Sequence, residues 1–225
     1  MLFLRIVGTT QEDDMARDAR AATRPPTERR NRDDAVMAAA IEVMSARGYS
    51  ATSIQDVADR VGVLKGSLYH YFSSKEELLF RIVEESHKQT SRIAEEVATM
   101  GLSPLEELLE YLRRSSIWYL ENRDRANIFF TDRQHLTGDR LAESNEWGRF
   151  FERHIQALVA AGQANGEIRP DVELRLITRF LLGAVNNVRF WPSRSGKAFG
   201  VLEISEALVA LTRSAVATAP AVIPK

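Results

Sequence analysis

Few side chains in the 225-residue sequence are spaced for bond-making chemistry. Asp132 and His135, three residues apart, are the one pair whose helical spacing suggests acid-base work, and an ordinary surface hydrogen bond accounts for them better. Cysteine is absent, which excludes thiolate nucleophiles, thiolate metal sites and disulfides. The 4 histidines lack the paired spacing of metal ligands, and neither a phosphate loop nor a nucleophile elbow is present. An enzyme, a cofactor and a metal are therefore not expected. What the residues offer instead is polar recognition. Two helix-start signals, Ser53 with Asp56 and Ser74 with Glu77, frame a short segment of small, basic and polar aromatic residues.

Those start signals place the elements around them. Upstream, Ala35, Val36, Ala39, Ala40, Val43 and Met44 recur at helical spacing, and Gly48 ends that helix with Arg47 in its last turn. Order is expected from about Thr27 to Asp33. Ser53 opens a short helix with a buried stripe of Ile54, Val57, Ala58 and Val61, stopped by Gly62. A tight turn at Gly62-Val63 leads to a still shorter helix from Lys65 to Tyr71. Ser74 then opens a long helix through Leu78, Leu79, Ile82 and Val83 towards Ala98. Pro104 suits the first turn of the next helix, which breaks near Asn122-Arg123-Asp124. Further helices are expected from about Arg125 to Leu136, Arg140 to Ala164, Asp171 to Trp191 and Val201 to Val216. Strand-period alternation is nowhere sustained, so the chain is read as all-α.

Charge is nearly balanced, 30 Lys+Arg against 31 Asp+Glu, so any nucleic-acid site must be local. Residues 29–81 are only marginally positive. Arg20, Arg24, Arg29, Arg30 and Arg32 form a basic arm suited to a minor groove, although a solvated tail explains it as well. The apolar start, Leu2 to Val7, is broken by Arg5 and followed by acidic residues. It is too short for a signal or a membrane span, so a cytoplasmic chain with no membrane partner is expected. Met15 opens a plain basic stretch, and translation is expected to begin there.

Two short helices joined by a glycine-containing turn, the second starting with small and polar residues, are what a DNA-reading helix-turn-helix needs. The stretch from Gly48 to Leu78 includes Thr52, Ile54-Gln55-Asp56-Val57-Ala58, Gly62-Val63, Gly66-Ser67-Leu68-Tyr69-His70-Tyr71-Phe72 and Lys75-Glu76-Glu77-Leu78. It closely resembles the signature of the TetR family of transcriptional regulators. The resemblance implies that Thr52 and Ser53 hold phosphate, that Lys65, Gly66 and Ser67 lie nearest the bases, and that Tyr69, His70 and Lys75 meet phosphate or the groove wall. Read without it, Ser53 and Ser74 are ordinary caps and Tyr69 is equally a core residue. Position 64 departs from the pattern: it is Leu where the family usually has a capping Ser or Thr, so packing is expected to hold the start of the reading helix. The resemblance further implies double-stranded operator DNA as partner, a homodimer, and repression relieved by a small molecule; the alternative, a helical enzyme or a protein-binding scaffold without a DNA role, leaves the pattern of residues 48–78 unexplained.

The remaining half is read from its residues. Trp118, Tyr119, Phe129, Phe130, Trp147, Phe150 and Phe151 cluster in the middle helices, with Trp118, Phe129, Phe130, Trp147 and Phe151 the candidate ligand contacts, and such clusters are more often plain core than pocket. Arg133 lies among them, with Arg125, Arg149, Arg153 and His154 nearby. An apolar cavity with one or two cations at its mouth would suit a long acidic ligand such as an acyl-coenzyme A thioester. Residues 187–192 and the pattern from Phe129 to Leu136 look like TetR-type regulators of lipid catabolism. The helix from Asp171 is apolar nearly all round, with Leu174, Ile177, Leu181, Ala184 and Val188 on one face and Leu176, Phe180, Gly183 and Asn187 on the next. The last helix shows the same breadth. A dimer contact through Leu181, Val188 and Leu208 is expected, with a large monomeric core as the alternative. The expected organisation is thus a flexible arm (1–28), a three-helix DNA-binding domain with its helix-turn-helix (29–81), a helical ligand-binding and dimerisation domain (82–217) and a tail (218–225).

Overall fold

The computed structural model describes residues 26–191 and 199–218, with side chains from residue 32. The arm before Pro26, with the expected start at Met15, lies outside the described residues, as does the tail after Thr218. Helix α1 spans Pro26–Arg47, and a proline at the first helical position forfeits no hydrogen bond. It buries Val36, Ala39, Ala40 and Met44 against Ile54, Val57 and Ala58 of α2, Ile54–Val61.

Helix α2 ends at Gly62, whose φ of 77° is the left-handed conformation that favours glycine. There the N–H groups of Gly62 and Val63 turn back to the Ala58 carbonyl at 2.9 and 3.0 Å, which closes the helix and aims the chain into α3, Lys65–Leu68. Helix α3 is one turn long. It is shorter than the run to Tyr71 expected from its sequence, because beyond Leu68 the chain continues in turns closed by Tyr71 and Phe72 N–H on the Leu68 carbonyl. Buried Leu68 and Phe72 pin it to the three-helix core.

Helix α4, Lys75–Ala98, leads out of this head. The second capping box is made only in part: Ser74 Oγ accepts from Glu77 N–H, but the Glu77 carboxylate reaches Ser73 instead of Ser74. The body beyond is built around α5, Pro104–Glu121, which packs against α4, α7 (Gly138–Ala164), α8 (Leu174–Asn187) and α9 (Val201–Val216). Ser103 makes no side-chain cap for α5; the Glu167 carboxylate does so from across the fold, accepting the Leu105 N–H at 2.9 Å. The segment expected as one helix from Arg125 is instead α6, Arg123–Asn127, a π-helical turn over Ile128–Asp132 and a 3-10 turn over Arg133–His135.

The dimer contact expected at Leu181, Val188 and Leu208 is corrected by their burial. They are 0%, 0% and 2% exposed, inside the protomer's own core. The uncovered stripe is the adjacent one, with Leu176 and Phe180 on α8 at 60% and 52% exposed, and Leu202 and Leu211 on α9 at 67% and 62%.

Candidate DNA-reading surface and sensing cavity

At the start of α2, Ser53 and Asp56 form a reciprocal cap: Ser53 Oγ accepts from Asp56 N–H at 3.1 Å, and Asp56 Oδ2 accepts from Ser53 N–H at 2.8 Å. The Ser53 hydroxyl and N–H, followed by the nearby Arg47, hold the Asp56 carboxyl below its ordinary range. Ser53 is exposed; Thr52 beside it is not. The Thr52 hydroxyl donates to the Gly48 carbonyl at 2.9 Å and its N–H to the Tyr49 carbonyl at 3.1 Å, so both donors assigned to phosphate are spent inside the turn. Lys75 is corrected in the same way. Its Nζ donates to the Tyr49 and Thr52 carbonyls at 3.0 and 2.9 Å and lies 4.3 Å from the centre of the Tyr49 ring, bracing the turn before α2.

The surface of α3 and the turns that follow it carries Lys65, Gly66, Tyr69 and His70, all exposed, with Ser67 half-buried. Nothing lies within 4 Å of where a Cβ on Gly66 would sit, so the backbone there is open to a close approach. Tyr69 is 49% exposed and stands outside the core. Packing does not hold the start of α3 as expected, since Leu64 is 73% exposed. A backbone bond does so, from Ser67 N–H to the Leu64 carbonyl at 2.9 Å.

In the body, α5, the π- and 3-10 turns, α7 and α8 border a partly open cavity of about 360 Å³. Of the residues singled out from sequence, Phe129, Phe130, Arg133 and Phe151 line it. Trp118 and Trp147 do not. The Trp118 indole donates to Gln89 Oε1 at 3.1 Å, and Trp147 stacks between Phe80 and His87 at 5.5 and 4.9 Å, so both knit helices together beside the cavity. Tyr119, a member of the aromatic cluster read from sequence, also lines it, and missing from that reading were Tyr111, Asn145, Glu152, Leu182 and Asn186. Tyr111 and Tyr119 lie one helical turn either side of Ser115, a spacing that could have signalled a shared face. Burial pushes both phenols far up, so they remain neutral hydrogen-bonding groups. Arg133 reaches over Gly148 towards the Ser144 carbonyl, and a Cβ at position 148 would stand 3.2 Å from its guanidinium.

The π-turn wall also bears on the head. His135 stacks on Tyr49 at 5.0 Å, and Thr137 donates through its N–H and hydroxyl to Glu76 Oε1 at 2.8 and 3.0 Å. Asp132 lies half-buried at the same seam; burial raises its carboxyl, opposed by the His135 charge and the Tyr49 N–H. The pair that looked like acid-base chemistry is thus part of a joint between two bodies. Among the described residues, no group of carboxylates and histidines could hold a metal, and no helix is long and apolar enough to cross a membrane.

A three-helix head whose two short helices present a reading turn, continued by one long helix into a helical body with a cavity, defines a helix-turn-helix DNA-binding regulator with a sensing domain. Residues 36–82 match the bacterial regulatory proteins of the tetR family, and residues 101–216 match the tetracyclin repressor-like C-terminal domain. The chain belongs to the TetR family, whose members are transcriptional regulators, not enzymes. It is 27% identical over 162 residues to the HTH-type transcriptional repressor KstR2 of Mycolicibacterium smegmatis, covering 69% of this chain and 77% of that protein. Against KstR2 of Rhodococcus jostii it is 30% identical over 144 residues, 63% and 70% of the two chains. In fold it is similar to AibR in complex with isovaleryl coenzyme A and operator DNA, with a TM-score of 0.73 at 23% identity, covering 80% of this chain and 97% of AibR.

Proposed function

We propose that this protein is a homodimeric cytoplasmic repressor whose hold on operator DNA is released when a large amphipathic acid, foremost an acyl-coenzyme A thioester, fills the cavity. One observation carries the reading: the segment from Ile128 to Thr137 is at once a wall of the cavity, through Phe129, Phe130 and Arg133, and a contact of the DNA-reading head, through His135 and Thr137. A ligand that moves that wall moves the seam. The cavity volume lies in the range of small-molecule sites, and its aromatic walls with Arg133 and Arg149, against the one carboxylate Glu152, suit an apolar chain ending in an anion. KstR2 relatives are repressors, and AibR binds both isovaleryl coenzyme A and operator DNA, which supports the same logic here.

In the head, Lys65, Gly66 and Ser67 face the bases, with Leu64 offering apolar contact to a thymine methyl. Tyr69 and His70 meet phosphate, whereas the Ser53 hydroxyl and N–H, like those of Thr52, are spent internally, here on Asp56 Oδ2. Dimerisation through Leu176, Phe180, Leu202 and Leu211 sets the spacing of two reading helices for successive major grooves. Release of the protein from DNA upstream of its own gene, screened in gel shifts across acyl-coenzyme A thioesters, free acids and drugs, tests the proposal. Release by a thioester, and altered sequence preference in Lys65→Ala, are the expected results. Operator binding that no acyl ligand relieves would overturn the effector assignment, and unaltered preference in Lys65→Ala would overturn the reading-helix assignment.

A further inference from the structure

Beside the cavity, and sharing Arg149 and Glu152 with it, lies a second groove of about 350 Å³ whose lining is mainly arginine. Helices α7 and α8 run antiparallel there. On α8, residues 175, 179, 182 and 186 fall on one stripe at helical spacing; Leu182 and Asn186 line the cavity, whereas Arg175 and Arg179 line the groove. On α7 opposite, Arg149 borders both spaces and Arg153 belongs to the groove. Two arginine pairs, each one helical turn apart, therefore line a groove that adjoins the aromatic-walled cavity. From residue 175 to residue 186 the stripe extends about 16 Å.

Acidic residues do not cancel this charge. Glu146 takes one N–H group from Arg149 at 2.6 Å and one from Arg153 at 2.7 Å, leaving their other donors, and Glu152 is the one carboxylate lining the groove. Arg175 and Arg179 are exposed. Each guanidinium offers five donors in a planar fork matched to phosphate oxygens, and pairs about 6 Å apart along each helix fit two linked phosphates better than a single carboxylate.

We infer that the α7–α8 arginine groove binds the pyrophosphate of an effector whose apolar chain occupies the adjoining cavity, so that the effector is selected at both ends. The inference deepens the reading of the cavity as an effector site and rests on it for the apolar end alone. The same phosphate chemistry occurs in a nucleotide thioester and in a lysophospholipid, and the linked pair of phosphates favours the former.

Calorimetric titration of the full chain with coenzyme A lacking any acyl group probes the groove by itself; a long-chain free acid probes the cavity, and lysophosphatidic acid the lipid source. Coenzyme A is expected to bind wild-type protein, to weaken about tenfold or more in Arg175→Ala with Arg179→Ala, and to weaken in wild type as salt rises. Binding of the free acid is expected to survive both changes. Coenzyme A that fails to bind, or binds the double variant as tightly as wild type, overturns the groove assignment whatever the free acid does. Lysophosphatidic acid binding more tightly than the acyl thioester overturns the nucleotide assignment. Arginine-dependent binding of coenzyme A with no binding of free acid upholds the groove and overturns the cavity reading instead.

Discussion

Lys75 and Thr52 show how a side chain of the right type can be occupied elsewhere. The Lys75 ammonium sits on carbonyls of the turn before α2 and over the Tyr49 ring, and Tyr49 in turn stacks on His135. Lys75→Ala should therefore lower stability by about 1–3 kcal/mol, since it strands acceptors in a partly buried turn, and should leave the salt slope of operator binding nearly unchanged. Urea melts and affinities at several salt concentrations check this; a slope lower by about one with full stability would return Lys75 to the phosphates. Gly162 makes a second residue-scale case. A Cβ there would meet the Ile168 side chain at 2.6 and 2.7 Å, and Ile168 is fully buried at the end of a turn bonded to the Gly162 carbonyl. Gly162→Ala should cost about 1–3 kcal/mol in a denaturant melt, and an unchanged midpoint would show that the turn repacks freely.

At the scale of elements, α8 and α9 each have one face in the protomer core and another uncovered. Charge on the uncovered face, as Phe180→Glu with Leu211→Glu, should yield a folded monomer by sedimentation, because each protomer keeps its own core. Charge on the inner face, as Leu181→Glu, should unfold the chain instead. A dimer that survives the first pair of substitutions would move the interface elsewhere. Between α9 and α5, Arg213 with Glu106 and Arg113 with Glu206 make paired hydrogen bonds at 2.7 to 3.0 Å, half-exposed and correspondingly modest in stability. They fix the rotation of α9 on α5 and hence the direction its uncovered face points.

At the scale of the whole molecule, two half-buried histidines link stability to pH. Burial lowers both His87, stacked on Trp147, and His154, packed edge-on to Tyr111, and the buried Nε2 of His154 has no hydrogen-bond partner among the described residues. Below pH 6.5 the unfolded chain takes up protons that the folded chain refuses, so this stability is complete above the ordinary histidine value and falls as pH drops beneath it. Replacing both with Phe should flatten the melting profile in that window; an unchanged acid slope would assign it to carboxylates. The joint between head and body carries a second whole-molecule consequence. Helix α4 is not the sole link, since α6, the 3-10 turn and Thr137 just beyond it also touch the head through Asp124 with Ser45, His135 with Tyr49 and Thr137 with Glu76. An effector acts only by binding better to the arrangement in which the reading helices are wrongly spaced, and operator must then weaken effector by the factor with which effector weakens operator. Titrations of the effector with and without saturating operator should differ by that factor, and equal affinities would leave the seam a passive contact.

The sequence by itself determined what depends on neighbours along the chain. Helix periods, the Ser53–Asp56 cap, the Gly62 turn and the uninterrupted helix to Ala98 follow from bonds within a few residues, and the reading motif is one continuous stretch from Gly48 to Leu78. Tertiary structure decided what depends on residues far apart. Composition brought Trp118 and Trp147 into one cluster with Phe130, but only the approach of α4 turned the two indoles away to Gln89 and His87 and left Tyr111, Tyr119 and Asn145 on the cavity wall. Helix α8 offered two apolar faces of similar strength, and local periodicity cannot rank them, because burial is settled by which neighbour arrives; α5, α7 and α9 covered Leu181 and left Phe180 outside.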